Sequence, residues 1–382
     1  MGLHFFPDPD ADESAIRVKA KAFSDSELRP TILEDDLNST FQLPLFHKLG
    51  KQGLTGISIP KEFGGGGLSY RCYYAALEEL AQGSASMSVV TGVTNLLQGA
   101  ILKFGSAEQK ANFLPSLAKG EMLGAFSLSE PQSGSDAAGL RLAAKKVPGG
   151  YVLNGAKSWC TNAGYAGLHL VMVRTSPERT NGITSFLVPK DTKGFRVGRQ
   201  EKKLGLRASS LAELIFDECF LNDDQLIGKE GEGFAIALSQ LDNGRISIGT
   251  AGVALAREAL ERGMLFLKEQ KKLNLPHPIA FAECLADFYA QVQAMKLLIT
   301  QAARMRDEGK RLTVVASQIK LLGSELAMKV TSEVIVGMAE KGYVREAEVE
   351  RLMRDAKALQ IVEGTNQIQR IVLAREMEEM FV

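Results

Sequence analysis

Cysteine and histidine are scarce, and each scarcity excludes something. The 382-residue chain carries four cysteines, Cys72, Cys160, Cys219 and Cys284, and no two are close enough to form a metal-ligand or redox pair. Scattered cysteines in a chain of this size read as reduced and intracellular. The four histidines, His4, His47, His169 and His277, are equally dispersed, so no metal centre is expected. There is no excess charge of either sign: 45 Lys and Arg face 45 Asp and Glu. A balanced chain has no global pull towards nucleic acid or an anionic membrane. Residues 1–10 lack the basic start and apolar run of a signal peptide. No uninterrupted apolar stretch approaches the ~18 residues needed to span a bilayer. The expectation is a cytoplasmic protein. Hydrophobic residues make up 45% of the chain, enough for a well-buried globular fold and too many for a disordered one. The length is too great for one ordinary core and implies two or three domains.

The hydrophobic patterning changes twice along the chain, which predicts an α+β fold in three parts. Residues 1–120 form the first. Leu43 to Leu54, Tyr70 to Ala81 and Ser88 to Lys103 carry helical spacing, and Ile57 to Gly67 interrupts it with Pro60 and four consecutive glycines. Residues 121–230 form the second. Tyr151 to Thr161, Leu168 to Arg174, Ile183 to Val188, Phe195 to Val197 and Glu213 to Phe220 are short β-rich runs bounded by turn formers. With no helices between them, they predict a small antiparallel barrel or sandwich. Residues 231–382 form the third, a helical bundle. Its stripes run through Phe234, Leu238, Leu241, Ile248 and Leu255, then Phe281, Leu285, Phe288, Val292, Met295, Ile299 and Ala302. A third runs through Ile319, Leu322, Leu326, Val330 and Val334.

Four stretches carry candidate chemistry. Phe126 to Asp136 ends a strand-like run in a turn of small residues, whose backbone N–H groups and hydroxyls suit an anionic or polar ligand. A plain strand and loop would read the same way. Trp159 is the only tryptophan, and it fits a core position as well as a cofactor wall. Glu363 follows the apolar pair Ile361 and Val362 and precedes Gly364 at a helix end. Apolar neighbours raise a carboxyl pKa towards the range useful to a base, although an exposed Glu before a glycine cap has the same signature. Gly244, inside the first bundle helix, costs roughly 1 kcal/mol relative to Ala. It leaves room for a second helix, or for a ligand beside Arg245.

In this order, the four stretches resemble the acyl-CoA dehydrogenase family. So do Leu49-Gly50 with Gly53-Leu54-x-Gly56-Ile57-x-Ile59-Pro60, and Phe104-Gly105-Ser106-x-Glu108-Gln109-Lys110. The likeness runs over nearly the whole chain. It implies FAD lying between the β domain and the bundle. Phe126, Leu128, Ser129, Gly134 and Ser135 would belong to the flavin-binding strand and turn, with Ser129 at the pyrimidine edge. Trp159 would flank the isoalloxazine, and Thr161 would reach towards N5. Thr365, Asn366 and Gln367 match the segment beside the diphosphate. Ser135, Asp242, Gly244, Arg245 and Gly364 match positions that line an acyl thioester. Glu363 matches the base that removes the α-proton while the β-hydride passes to flavin. Some relatives carry the base at the position held here by Gly244, which cannot serve. The resemblance also implies an electron-transfer flavoprotein as acceptor and a homotetramer or homodimer.

Two family stretches are missing. An Arg-x-x-Phe-Gly motif is absent from Lys268 to Pro278, and Val336-Gly337-Met338-Ala339-Glu340 stands where Gln-x-x-Gly-Gly is usual. Both belong to the half of the FAD site shared between subunits. They keep open a weakly FAD-binding or non-catalytic relative that serves as a binding or structural module. A flavin oxidase or monooxygenase of the same fold is the other alternative.

Overall fold

The computed structural model describes residues 10–273 and 278–381. His4 and His277 lie outside the described residues, as do 274–277 of the altered stretch after Lys268. The first part is a layer of helices: α1 (Ala11–Phe23), α2 (Ile32–Asn38), α3 (Leu43–Lys51), α4 (Tyr70–Gly83), α5 (Ala85–Phe104) and α6 (Ala107–Ala118). Side-chain caps set the starts of α1, α4, α5 and α6. Ser84 accepts from the Met87 N–H, and Ser106 and Gln109 form a reciprocal capping box. Helix α5 is long and apolar enough to cross a membrane, yet 89% of that stretch is buried inside the fold. A helix apolar on all sides is a core helix when other elements surround it.

The middle part is one eight-stranded sheet: β1 (Gly124–Ser127), β2 (Ala143–Val147), β3 (Gly150–Thr161), β4 (Leu168–Arg174), β5 (Ile183–Pro189), β6 (Phe195–Gln200), β7 (Leu211–Asn222) and β8 (Leu226–Ile227). Its order is β6-β7-β3-β2-β4-β5-β8, with β1 beside β4. The sheet does not close, so a barrel is not formed, and the pairing is not wholly antiparallel. Strand β4 pairs in parallel with β1 and, through Ala143 and Arg174 alone, with β2. That single pair is a hinge between two limbs. The limbs fold face to face around Leu153, Val171, Val173, Phe186, Leu214 and Phe216. Phe186 meets Tyr151 and His169 meets Phe195 across them, with ring centroids 4.9 and 4.8 Å apart. The other side chains of β4, Leu168, Leu170 and Met172, pack with Leu97, Ile101 and Ile236 of the helices. Burial on both faces explains the apolar run from Leu170 to Val173.

The third part contains α7 (Gly233–Lys272), α8 (Ile279–Asp307), α9 (Thr313–Gly337), α10 (Glu340–Tyr343), α11 (Val349–Leu359) and α12 (Asn366–Phe381). Helices α7 and α9 touch backbone to backbone. A Cβ on Gly252 would stand 2.6 Å from the Gly323 carbonyl oxygen, and one on Gly323 would stand 2.5 Å from that of Gly249. All seven stripe residues of α8 are buried. Leu238 of α7 and Leu322 of α9 depart from their predicted stripes and face solvent.

Candidate active site

Glu363 is not at a helix end but at the apex of the turn between α11 and α12. Its φ is +54°, followed by +84° at Gly364. The left-handed region costs a non-glycine residue roughly 1–2 kcal/mol, so the surrounding structure must hold it. The Gln369 side chain does so by donating to the carbonyls of Glu363 (3.3 Å) and Gly364 (2.9 Å). The Asn366 N–H closes the turn onto the Gln360 carbonyl at 3.0 Å. The Glu363 carboxylate then lies against α7: Oε2 is 2.6 Å from the place a Gly244 Cβ would occupy. Oε2 is buried and has no hydrogen-bond partner. Burial pushes the carboxyl up to about 7, against the opposing pull of Arg245 and Lys320. A desolvated, unpartnered carboxylate near neutrality is suited to general-base work.

The carboxylate closes one end of an apolar slot between α5 and α7. Ser88, Val89, Gly92, Val93, Ser247 and Ile248 line it with Gly244. It opens to solvent. Arg245 is buried beside it and ion-paired to Asp242 at 2.8 Å; Asp242 also accepts from Thr313 at 3.1 Å.

The end of β3 adjoins this slot. The Asn162 amide donates to the carbonyls of Val90 (3.1 Å) and Gly124 (2.8 Å), joining β3 to α5 and β1. Just before it, the β3–β7 register shifts between Lys157 and Cys160. Trp159 sits in that bulge with φ +58° and is 60% exposed. The Ser158 N–H bonds to the Ser129 carbonyl at 2.9 Å, so the turn after β1 runs beside this tryptophan. Glu130 staples the turn. It accepts from the N–H groups of Arg141 and Leu142 at 2.6 and 2.9 Å, and from buried Lys157 at 2.7 Å. Burial alone would raise the Glu130 carboxyl, but Lys157 and the two N–H groups hold it below its ordinary value.

The other sequence candidates are dispersed more unevenly. Phe126 and Thr161 are half-buried, Leu128 and Asn366 buried, and Gly134, Ser135 and Gln367 exposed. The Asn366 side chain is already engaged: it accepts from Lys320 and donates to Ser324 and Glu325. Thr365 accepts from the Ile368 N–H and so caps α12. Lys320, Glu130, Lys157, Ser247 and Gly92 were not singled out by sequence reasoning. Lys320 stands next to Ile319 of a helical stripe and looks like its solvated neighbour. Glu130 and Lys157 looked like ordinary loop and strand charges.

These surroundings fit a planar ring system. Trp159 offers an uncovered aromatic plate, a Cβ on Gly134 would meet nothing within 4 Å, and Glu363 and Gln369 each leave a buried oxygen unpartnered. Together with a helix–sheet–helix chain, they suit a flavin-dependent oxidoreductase. Three consecutive family models match: the N-terminal, middle and C-terminal domains of acyl-CoA dehydrogenase, at residues 10–121, 125–219 and 231–378. The chain belongs to the acyl-CoA dehydrogenase family. An acyl-CoA dehydrogenase of Bacillus subtilis is 38% identical over 370 residues, spanning 95% of this chain and 97% of that protein. Butyryl-CoA dehydrogenase from Megasphaera elsdenii superposes with a TM-score of 0.95 at 34% identity, covering 98% of this chain and 100% of that one. A glutaryl-CoA dehydrogenase from Mycobacterium smegmatis, solved with FADH2, gives 0.91 at 28% identity, covering 97% and 95%. The protein is an FAD-dependent oxidoreductase acting on acyl thioesters.

Proposed function

We propose that this chain is a cytoplasmic, self-associating enzyme that introduces the α,β double bond into a short-chain acyl-CoA, with Glu363 as the base. The observation that carries this reading is the buried, unpartnered Glu363 oxygen over an apolar slot. The carboxylate takes the α-proton and becomes a neutral carboxylic acid, which the dry site favours. The Glu363 N–H makes no hydrogen bond among the described residues, so it is free to donate to the thioester carbonyl. Charge developing on that oxygen is thereby stabilised. FAD, when bound, supplies the acceptor for the β-hydride. Trp159, Thr161 and Ser129 are the residues that would hold its ring, and Gly134 and Ser135 would approach it through the turn. Gly244 and Arg245 line the acyl side of the cleft.

The butyryl-CoA dehydrogenase neighbour supports a short acyl chain. The resemblance to the family supports an electron-transfer flavoprotein as the acceptor. Exposed apolar residues on the bundle, among them Leu238, Leu322, Val336 and Ile371, support a homotetramer or homodimer. The test is anaerobic titration with acyl-CoAs of graded length. Butyryl-CoA is expected to bleach the wild-type flavin, and Glu363→Gln is expected to keep its flavin without bleaching. A variant retaining more than about a hundredth of the wild-type rate would exclude Glu363 as the base, since general-base catalysis contributes 10²–10⁴-fold.

A further inference from the structure

Among the described residues two lysines are fully buried, Lys157 and Lys320. They differ in one respect. The Lys157 ammonium is 2.7 Å from the Glu130 carboxylate, whereas Lys320 has no carboxylate within ion-pair distance among the described residues. Its two hydrogen bonds go to the Gln360 carbonyl oxygen (3.0 Å) and the Asn366 Oδ1 (2.7 Å). Those residues are the two ends of the turn that carries Glu363. Lys320 therefore straps the base of the turn shut from α9, while Gln369 holds its apex from α12. Asn366 is braced in return by Ser324 and Glu325 at 3.0 and 2.9 Å.

A strap alone does not need a charge. A neutral donor would satisfy the same two oxygens without the cost of desolvating an ammonium, which is several kcal/mol in a protein interior. The turn that Lys320 straps at both ends carries the Glu363 carboxylate, and that charge opposes the effect of burial on the ammonium. We infer that Lys320 is a positioning residue for the base. It holds the 360–366 turn so that Glu363 lies over Gly244, and its ammonium favours the ionised form of that carboxylate. The inference rests on the reading of Glu363 as the base.

The remaining charges around the pair are accounted for. Arg245 of α7 also faces Glu363, but Asp242 partly neutralises it. Glu325 of α9 is engaged with Arg370 of α12 at 3.1 Å. Lys357 of α11 bonds the Gln360 side chain, Tyr73 of α4 is a neutral, buried phenol, and α5 contributes only uncharged residues to the slot. Burial pulls the Lys320 ammonium down to about 7, with Glu363 the first influence opposing it.

Two variants separate strap from charge. Lys320→Gln keeps a donor and removes the charge; Lys320→Met removes both. Both are expected to raise the acid limb of kcat/KM by roughly half a unit to one pH unit, as loss of a nearby cation requires. Lys320→Met is also expected to lower kcat roughly tenfold or more, with a smaller change in KM, because the base is no longer held. The same shift is read without turnover from the infrared carbonyl band of protonated Glu363, identified by its absence in Glu363→Gln. An acid limb and a band midpoint that stay at their wild-type values in Lys320→Gln would overturn the inference. If the Lys320 variants do not fold, the reciprocal arm leaves Lys320 in place. Glu363→Gln is then expected to lower the titration midpoint of the Lys320 side-chain nitrogen by NMR, and an unchanged midpoint would overturn the inference. A wild-type enzyme that reduces no flavin with any acyl thioester would defeat the proposed function instead, while the infrared and NMR arms still decide the role of Lys320.

Discussion

The Glu363 carboxylate occupies the space that a side chain at Gly244 would need, with Oε2 2.6 Å from the position of that Cβ. Gly244→Ala must therefore push the base aside, because the flexible carboxylate yields before the helix does. The same substitution removes a glycine from a helix interior, worth roughly 0.5–1 kcal/mol of stability. Stability and activity are thus expected to move in opposite directions. The melting temperature should hold or rise, while kcat falls by about 10²-fold, the cost of an ångström-scale misplacement. A variant with wild-type kcat would show that the base reaches its working position from elsewhere.

The pH dependence follows from Glu363. Only its ionised form accepts a proton, so kcat/KM should rise with pH and level off above about 7. Stability should run the other way. Burial raises this carboxyl in the fold from 4.5 to about 7. Across that window the folded chain keeps a proton that the unfolded chain has released, so stability falls as pH rises. Glu363→Gln escapes this cost and should be more stable than wild type at pH 8, by about 1–3 kcal/mol. Urea melts of the two proteins at pH 5 and pH 8 test it. Equal differences at both pH values would contradict the desolvation account.

Breaking the Glu130–Lys157 pair should be costly in a specific way. Glu130→Gln leaves a buried ammonium without its counter-charge, and removing one partner of such a pair typically costs about 3–5 kcal/mol. The double variant Glu130→Leu/Lys157→Met removes both charges and should recover part of the loss. Full recovery is not expected, because the N–H groups of Arg141 and Leu142 would still lack their acceptor. Flavin content should fall in both, since the stapled turn lies beside Trp159. Additive single and double effects in a denaturation cycle would argue against coupling between the two side chains.

Retention of FAD is expected to be incomplete. Val336 and Glu340 stand exposed where the family usually has Gln-x-x-Gly-Gly, and Ala339 between them adopts φ +51°. Each lost hydrogen bond to a charged group costs about 1.5–3 kcal/mol, or roughly one to two decades of affinity. The protein should purify with less than one FAD per chain and refill when FAD is added, and Glu340→Gly should retain more. Full occupancy after extensive dialysis, unchanged by that substitution, would mean that other residues hold the diphosphate.

Legibility in the sequence varied from residue to residue. The α8 stripe from Phe281 to Ala302 was readable because helical burial repeats with the backbone period, which a sequence displays directly. Strands β3, β4 and β5 were readable from β-branched runs between turn formers. Strand β2 was not: Ala143 to Val147 is Ala-Ala-Lys-Lys-Val, and it is held by its hairpin with β3. The choice between barrel and sandwich was not readable because it depends on which distant strands meet, and β2 touches β4 at one residue pair only. The reading of Trp159 as a flavin neighbour comes only from the family resemblance. Its exposure comes from a register shift against β7, some fifty residues away.

The sequence by itself determined the helix–sheet–helix order and the family, and singled out Glu363 as the candidate base, because periodicity and motif order are local or linear properties. Tertiary structure decided what those residues can do chemically. Glu363 next to Ile361, Val362 and Gly364 could have been an exposed cap. It becomes a desolvated carboxylate because Gly244 of α7 leaves it a seat and α5 lines the slot beside it. Lys320 and Asn366 could have been a surface cation and an unpaired amide. They become partners because α9 brings Lys320 to the two ends of a turn about forty residues further along. Burial and pairing are properties of neighbours in space, and a carboxyl or ammonium acquires its working protonation state only from them.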